Sequence, residues 1–141
     1  MDTGQDRALL AASVAFAAAA GLGSAVAIRD ELPGEPLGIT VPLSVPAGLL
    51  AGWGAAVAAP WPMPASALIA AVRAQRTGAS AIAGVLCAII GLGCIAGTLV
   101  EPVTRQPGTW SPLTRLAITA NIAASAALAV TGWRHFTAAR R

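Results

Sequence analysis

The chain has 141 residues, of which 56% are hydrophobic and 11% charged, with a mean hydropathy of +0.71, whereas a soluble domain is about one-quarter charged. That balance excludes an ordinary water-soluble fold and predicts an all-α integral membrane protein. The nine basic residues are all arginine and stand at the ends of apolar segments, where they orient a membrane protein; nucleic acid would need a clustered basic face, so it is excluded as a partner and the lipid bilayer is the expected one.

The first charge-free stretch, Ala8 to Ile28, suits one crossing, since a spanning helix needs about 17 to 25 residues. A secretory signal is the competing reading, because Ala25-Val26-Ala27 resembles a cleavage site, but an apolar run of 21 residues exceeds the usual core of about 7 to 15. The tail before it also carries Asp2 and Asp6 beside its lone Arg7.

The second stretch, Pro36 to Val72, is 37 residues long and contains Pro42, Pro46, Pro60, Pro62 and Pro64. It reads as one long, kinked crossing, because each proline removes a backbone donor and clashes with the preceding turn. Two crossings would leave only Ala65 to Val72 for the second, far below the required length of about 17 residues. The break over Pro60 to Pro64 is expected near the cytoplasmic interface, with Ala65 to Arg76 as a helical extension; the alternative is a broken backbone at depth lining a gate or binding site.

Thr77 to Val100 and Leu116 to Trp133 supply the third and fourth crossings. With the amino terminus inside, Arg7, Arg73, Arg76, Arg134, Arg140 and Arg141 fall in the cytoplasm and Arg29, Arg105 and Arg115 outside, in accord with the positive-inside rule. Five crossings from an outside start satisfy the same rule, and only segment length argues against them. The expected fold is a single domain over 1–141, a four-transmembrane-helix bundle with both ends inside and helices at roughly 8–28, 43–72, 78–100 and 114–133. The all-arginine, alanine-rich composition suits a GC-rich bacterial genome, and the inner (cytoplasmic) membrane is the expected location.

Steps of four and three along the third helix give Ser80, Gly84, Cys87, Gly91, Cys94, Thr98 and Glu101, an unbroken small or polar stripe. The first helix repeats it with Ser13, Ala17, Ala20, Ser24 and Ala27, and the fourth carries a more mixed series of Thr114, Ile118, Asn121, Ser125, Leu128 and Gly132. A period of 3.5 is the seam of left-handed packing, and small residues let membrane helices approach closely, so these stripes should face the bundle axis. Gly93 and Gly97 form a small-xxx-small pair on another face, a contact for a neighbouring helix or for a second copy in a homodimer.

The inward stripes place chemistry at one end. Glu101 closes the stripe of the third helix, and Asn121 lies about five residues below the outer end of the fourth, roughly 8 Å deep. An outward-opening pocket is expected there, with Glu101 as acid or base and Asn121 orienting a ligand. Cys94, Thr98 and Ser125 would line it, Arg105 and Arg115 would reach it from the loop, and Trp53 would form an apolar wall. The plainer alternative pairs Glu101 with Arg105 or Arg115 as an interfacial anchor and turns Trp53 to lipid. Trp110 and Trp133 read as interfacial belts, and His135 as a solvated or headgroup-facing residue. Cys87 and Cys94 are about 10 Å apart on one helix, too far for a disulfide; no metal-ligand spacing, phosphate loop or dinucleotide fingerprint is present, so no cofactor is expected.

Three functions compete on this reading. The first is a protein that binds a hydrophobic small molecule, with conversion of that molecule left open. The second is a non-catalytic accessory subunit of a larger membrane complex. The third, a small homodimeric transporter, is disfavoured because every acidic residue lies at or beyond the end of an apolar segment.

Overall fold

The computed structural model describes residues 3–77 and 80–140. Met1, Asp2, Gly78, Ala79 and Arg141 lie outside the described residues, and with them the expected start of the third helix and the last arginine of the basic tail. The described chain is helical, with five α-helices: α1 (Thr3–Arg29), α2 (Val45–Ala51), α3 (Pro62–Thr77), α4 (Ala81–Val100) and α5 (Pro112–Ala138). Short 3₁₀ turns at Pro36–Gly38, Pro102–Arg105 and Pro107–Thr109 shape the connections, and strand-like pairing among the described residues is confined to isolated bridges at Pro33, Ala55 and Ala58.

Three helices are long and apolar enough to cross a membrane: Gly4–Arg29, Ala81–Val100 and Pro112–Ala138. Each continues beyond or close to its sequence-predicted limits. The expected second crossing does not match, since the long kinked helix over 43–72 is two helices, α2 and α3, separated by ten residues of irregular chain. At 16 residues, α3 is about 24 Å long and falls short of the roughly 30 Å hydrocarbon core by itself.

The expected stripes form the interior. Gly84, Cys87, Gly91, Cys94, Thr98 and Glu101 of α4 are all buried, as are Ser13, Ala20, Ser24 and Ala27 of α1 and Thr114, Ile118, Asn121, Ser125, Leu128 and Gly132 of α5. Glycines decide how closely α4 and α5 meet: a Cβ on Gly91 would stand 2.5 Å from the Ser125 carbonyl oxygen, and one on Gly132 would stand 2.6 Å from the Ala88 nitrogen. Backbone therefore packs on backbone, the close approach that dispersion-driven helix association needs.

The proline cluster sets where α3 begins. Proline suits the first turn of a helix, whose N–H groups have no intrahelical acceptor, and prevents backward extension by clashing with the preceding turn. At this start Pro62 and Pro64 have no N–H to leave unpaired, Met63 N–H donates to the Pro60 carbonyl (3.0 Å) and Ala65 N–H to that of Trp61 (3.2 Å).

The break, expected near the cytoplasmic interface, is packed within the bundle. Gly54 through Pro60 are all buried, the backbone of Val57 and Ala58 lies against Gly23 of α1, and Met63 touches Cys94 of α4. Ala65 to Arg76 does continue as helix, and its Ala67, Ala70, Ala71 and Ala74 are buried in the core with Leu9, Phe16 and Leu128. Buried non-helical backbone must find partners within the protein. Ala55 and Ala58 exchange N–H···O bonds of 3.1 Å in both directions, Ala56 N–H donates to Leu32 (3.4 Å), Gly54 N–H to Gly48 and Trp61 N–H to Leu49 (both 3.0 Å). Gly52 and Gly54 make the sharp exit from α2 at φ of +92° and +87°, a conformation that favours glycine.

Candidate functional site

Where α3 stops short, the bundle is closed by the irregular segment rather than by a helix, and a cavity of about 260 Å³ remains. Its walls come from the turn at Pro36, the segment from Gly52 to Pro60, the first turn of α3 at Met63, one face of α4 (Gly93, Cys94, Gly97, Thr98, Glu101) and Asn121 of α5. Five of the eight residues expected at a site from sequence therefore meet there: Glu101, Asn121, Cys94, Thr98 and Trp53.

Glu101 follows the last turn of α4 and is 6% exposed. Its Oε2 accepts the backbone N–H of Glu35 at 3.0 Å, which ties the long connection between α1 and α2 to the end of α4. Asn121 is 1% exposed. Its Nδ2 donates to Thr98 Oγ1 (2.9 Å), and that hydroxyl donates in turn to the Cys94 carbonyl (2.8 Å). Asn121 Oδ1 is buried with no hydrogen-bond partner, so a residue that lines the cavity keeps an unmet acceptor, the costly feature that native interiors mostly avoid. Cys94 Sγ is 3.4 Å from Met63 Sδ. Trp53 forms the wall with its ring, and its indole N–H donates to the Gly34 carbonyl at 2.8 Å.

The remaining three expected residues stand apart. Ser125 is fully buried with an unpartnered Oγ but does not line the cavity. It sits one turn deeper on α5, where its carbonyl lies under Gly91. Arg105 and Arg115 are exposed, and neither pairs with Glu101: the ion pairs among the described residues join Arg29 to Asp30 and His135 to Asp6. In place of the interfacial-anchor pairing, Glu101 makes the backbone contact with Glu35, while Arg105 ends a 3₁₀ turn and Arg115 stands on the exposed side of α5.

Gly93 and Gly97 also line the cavity, and a Cβ on either would meet no atom within 4 Å. Within the chain they make room instead of a helix contact. His135 corrects another expectation, for it is 0% exposed with Nδ1 3.5 Å from Oδ1 of Asp6, and both ring nitrogens lack hydrogen-bond partners. The pair was detectable from the stripes. One more step beyond Gly132 reaches His135, and stepping back from Ser13 through Leu9 reaches Asp6. Met63 had no comparable signal, because its position depends on where the proline break falls in depth.

Burial raises the Glu101 carboxyl above its ordinary value of 4.5, the N–H of Glu35 opposes that rise, and the Glu35 charge adds to it. A carboxyl raised in the folded state holds its proton more tightly there than when unfolded. Its contribution to stability is therefore present at low pH and lost as pH climbs from the unfolded value through the folded one. Thermal unfolding in detergent between pH 4 and pH 7 should show wild-type stability declining relative to Glu101→Gln, which carries no such proton; parallel curves would contradict this.

The chain matches no protein-family model, no curated protein and no solved structure. Function is accordingly argued from the cavity itself.

Proposed function

We propose that this protein is a multi-pass protein of the bacterial inner membrane that binds a small hydrophobic molecule in the cavity between α3, α4 and α5. Both termini lie in the cytoplasm, α2 and α3 together make the second, interrupted crossing, and the cavity opens toward the outer side. Glu101 and Asn121 orient the ligand, with Glu101 placed to act as an acid or base on a bound molecule.

One observation carries this reading: an unpartnered acceptor on a residue 1% exposed, Asn121, in the wall of a cavity of about 260 Å³. That volume is slightly below the roughly 300 to 1,000 Å³ of drug-sized sites. The lining is mostly alanine, glycine, proline, methionine and tryptophan, with a few polar groups, the composition expected of a small-molecule pocket.

The test is native mass spectrometry of the protein released from mild detergent, comparing wild type with Gly97→Leu, whose side chain fills the cavity. A discrete co-purifying small molecule that is lost in the variant is the expected result. A bare chain, or a second polypeptide held equally by both, would overturn the ligand reading, and the second polypeptide would favour an accessory subunit.

A further inference from the structure

The hydrogen-bond chain at the cavity wall fixes which way the Asn121 amide points. Thr98 has a single hydroxyl proton, given to the Cys94 carbonyl, so toward Asn121 its oxygen can only accept. The amide nitrogen must therefore face Thr98 and the amide oxygen is the open end. One turn farther along α4 stands the Glu101 carboxyl, with Oε2 held by the Glu35 N–H.

Cationic donors are absent from the lining: the Trp53 indole N–H and the Thr98 hydroxyl are committed to carbonyls, the second amide N–H of Asn121 is neutral, and no arginine lines the cavity. A wall with two acceptors and no cation disfavours an anionic head group and leaves Asn121 Oδ1 unsatisfied until a donor arrives.

The side of the cavity is open as well. Gly93 is exposed on the flank of α4 and lies roughly 10 Å below the end of that helix, so the cavity reaches the apolar part of the span rather than only its rim.

We infer that the ligand is an apolar molecule with a hydrogen-bond-donating, non-anionic head, a hydroxyl or an amine, which enters sideways past Gly93 and Gly97 and donates to Asn121 Oδ1 and Glu101. This rests on the ligand-binding reading above and adds the chemistry of the head and the route. Each wall feature then has a use: the glycines clear the path for an apolar body, the Thr98 hydroxyl holds the amide, and the buried acceptor selects the head.

The experiment uses tritiated decanol bound to the full chain in phospholipid nanodiscs, with empty discs subtracted and with unlabelled decanol, decylamine, decyl methyl ether and decanoate as competitors. Decanol and decylamine should compete at least about tenfold better than the ether and decanoate, the equivalent of one hydrogen bond of about 1.4 kcal/mol. Asn121→Leu should erase the difference between alcohol and ether, and Gly97→Leu should abolish cavity binding of the whole set. Equal competition by alcohol and ether, tighter binding of decanoate, or a preference that survives Asn121→Leu would each overturn the head-group inference while leaving a Gly97-sensitive pocket intact. Absence of any Gly97-sensitive binding would overturn both readings. The wild-type panel decides the head-group question even where Asn121→Leu fails to fold.

Discussion

Replacing His135 by leucine is expected to destabilise the protein by about 1 to 3 kcal/mol, the cost of leaving a buried carboxyl without the polar group it faces. His135 is 0% and Asp6 5% exposed, and they meet at 3.5 Å between α5 and α1. The double variant Asp6→Leu/His135→Leu should recover most of the loss, since replacing both members with apolar residues of similar volume is often neutral or stabilising. Unfolding of both variants in a denaturing detergent titration measures the difference. A single variant as stable as wild type would mean that the pair contributes nothing to the α1–α5 contact.

Glycines on the two faces of α4 and α5 predict opposite results. Leucine at Gly132 would drive a Cβ to 2.6 Å from the Ala88 nitrogen and 2.7 Å from the Gly84 carbonyl, atoms of backbone that cannot turn aside. The two helices must separate, at a cost of about 3 kcal/mol, the upper end of ordinary overpacking penalties. Leucine at Gly97, where a Cβ meets open space, should leave stability within about 0.5 kcal/mol of wild type while closing the cavity. Melting temperature and folded yield in detergent report the first effect, and ligand retention the second. A Gly97 variant as unstable as the Gly132 variant would show that the cavity collapses in the folded protein.

The contrast between these glycines shows what the sequence could and could not convey. Small residues at steps of four and three, repeated on three helices, marked the buried faces because helix geometry imposes that spacing wherever one face packs. Glu101, Asn121, Cys94 and Thr98 were found by following those faces to one end. Gly93 and Gly97 carry the same residue type and spacing, and nothing in the sequence distinguishes a glycine that admits a helix from one that lines a cavity.

The proline-rich stretch was harder for a related reason. Prolines establish that a helix must stop, but the depth of the stop depends on what satisfies the backbone, and here the partners include Gly48 and Leu49 of α2 and Leu32 of the connection after α1. Asp6 and His135 were overlooked by ending the stripes at the apolar limits, whereas α1 and α5 continue past them as helix.

The truncated α3 also divides the molecule in its dynamics. At the end carrying Asp6 and His135, four helices pack side by side, and their amides are protected by continuous helical ladders. At the cavity end, the wall from Gly52 to Trp61 is held by a few scattered bonds of 3.0 to 3.4 Å. Local opening is cheapest where such ladders are missing. In hydrogen–deuterium exchange, Gly54 to Ala59 should therefore exchange through small local fluctuations while the α4–α5 pair exchanges only with global unfolding. The segment from Gly54 to Ala59 is then the part of the protein that yields first, and slower exchange there on addition of decanol would be the kinetic record of an occupied cavity.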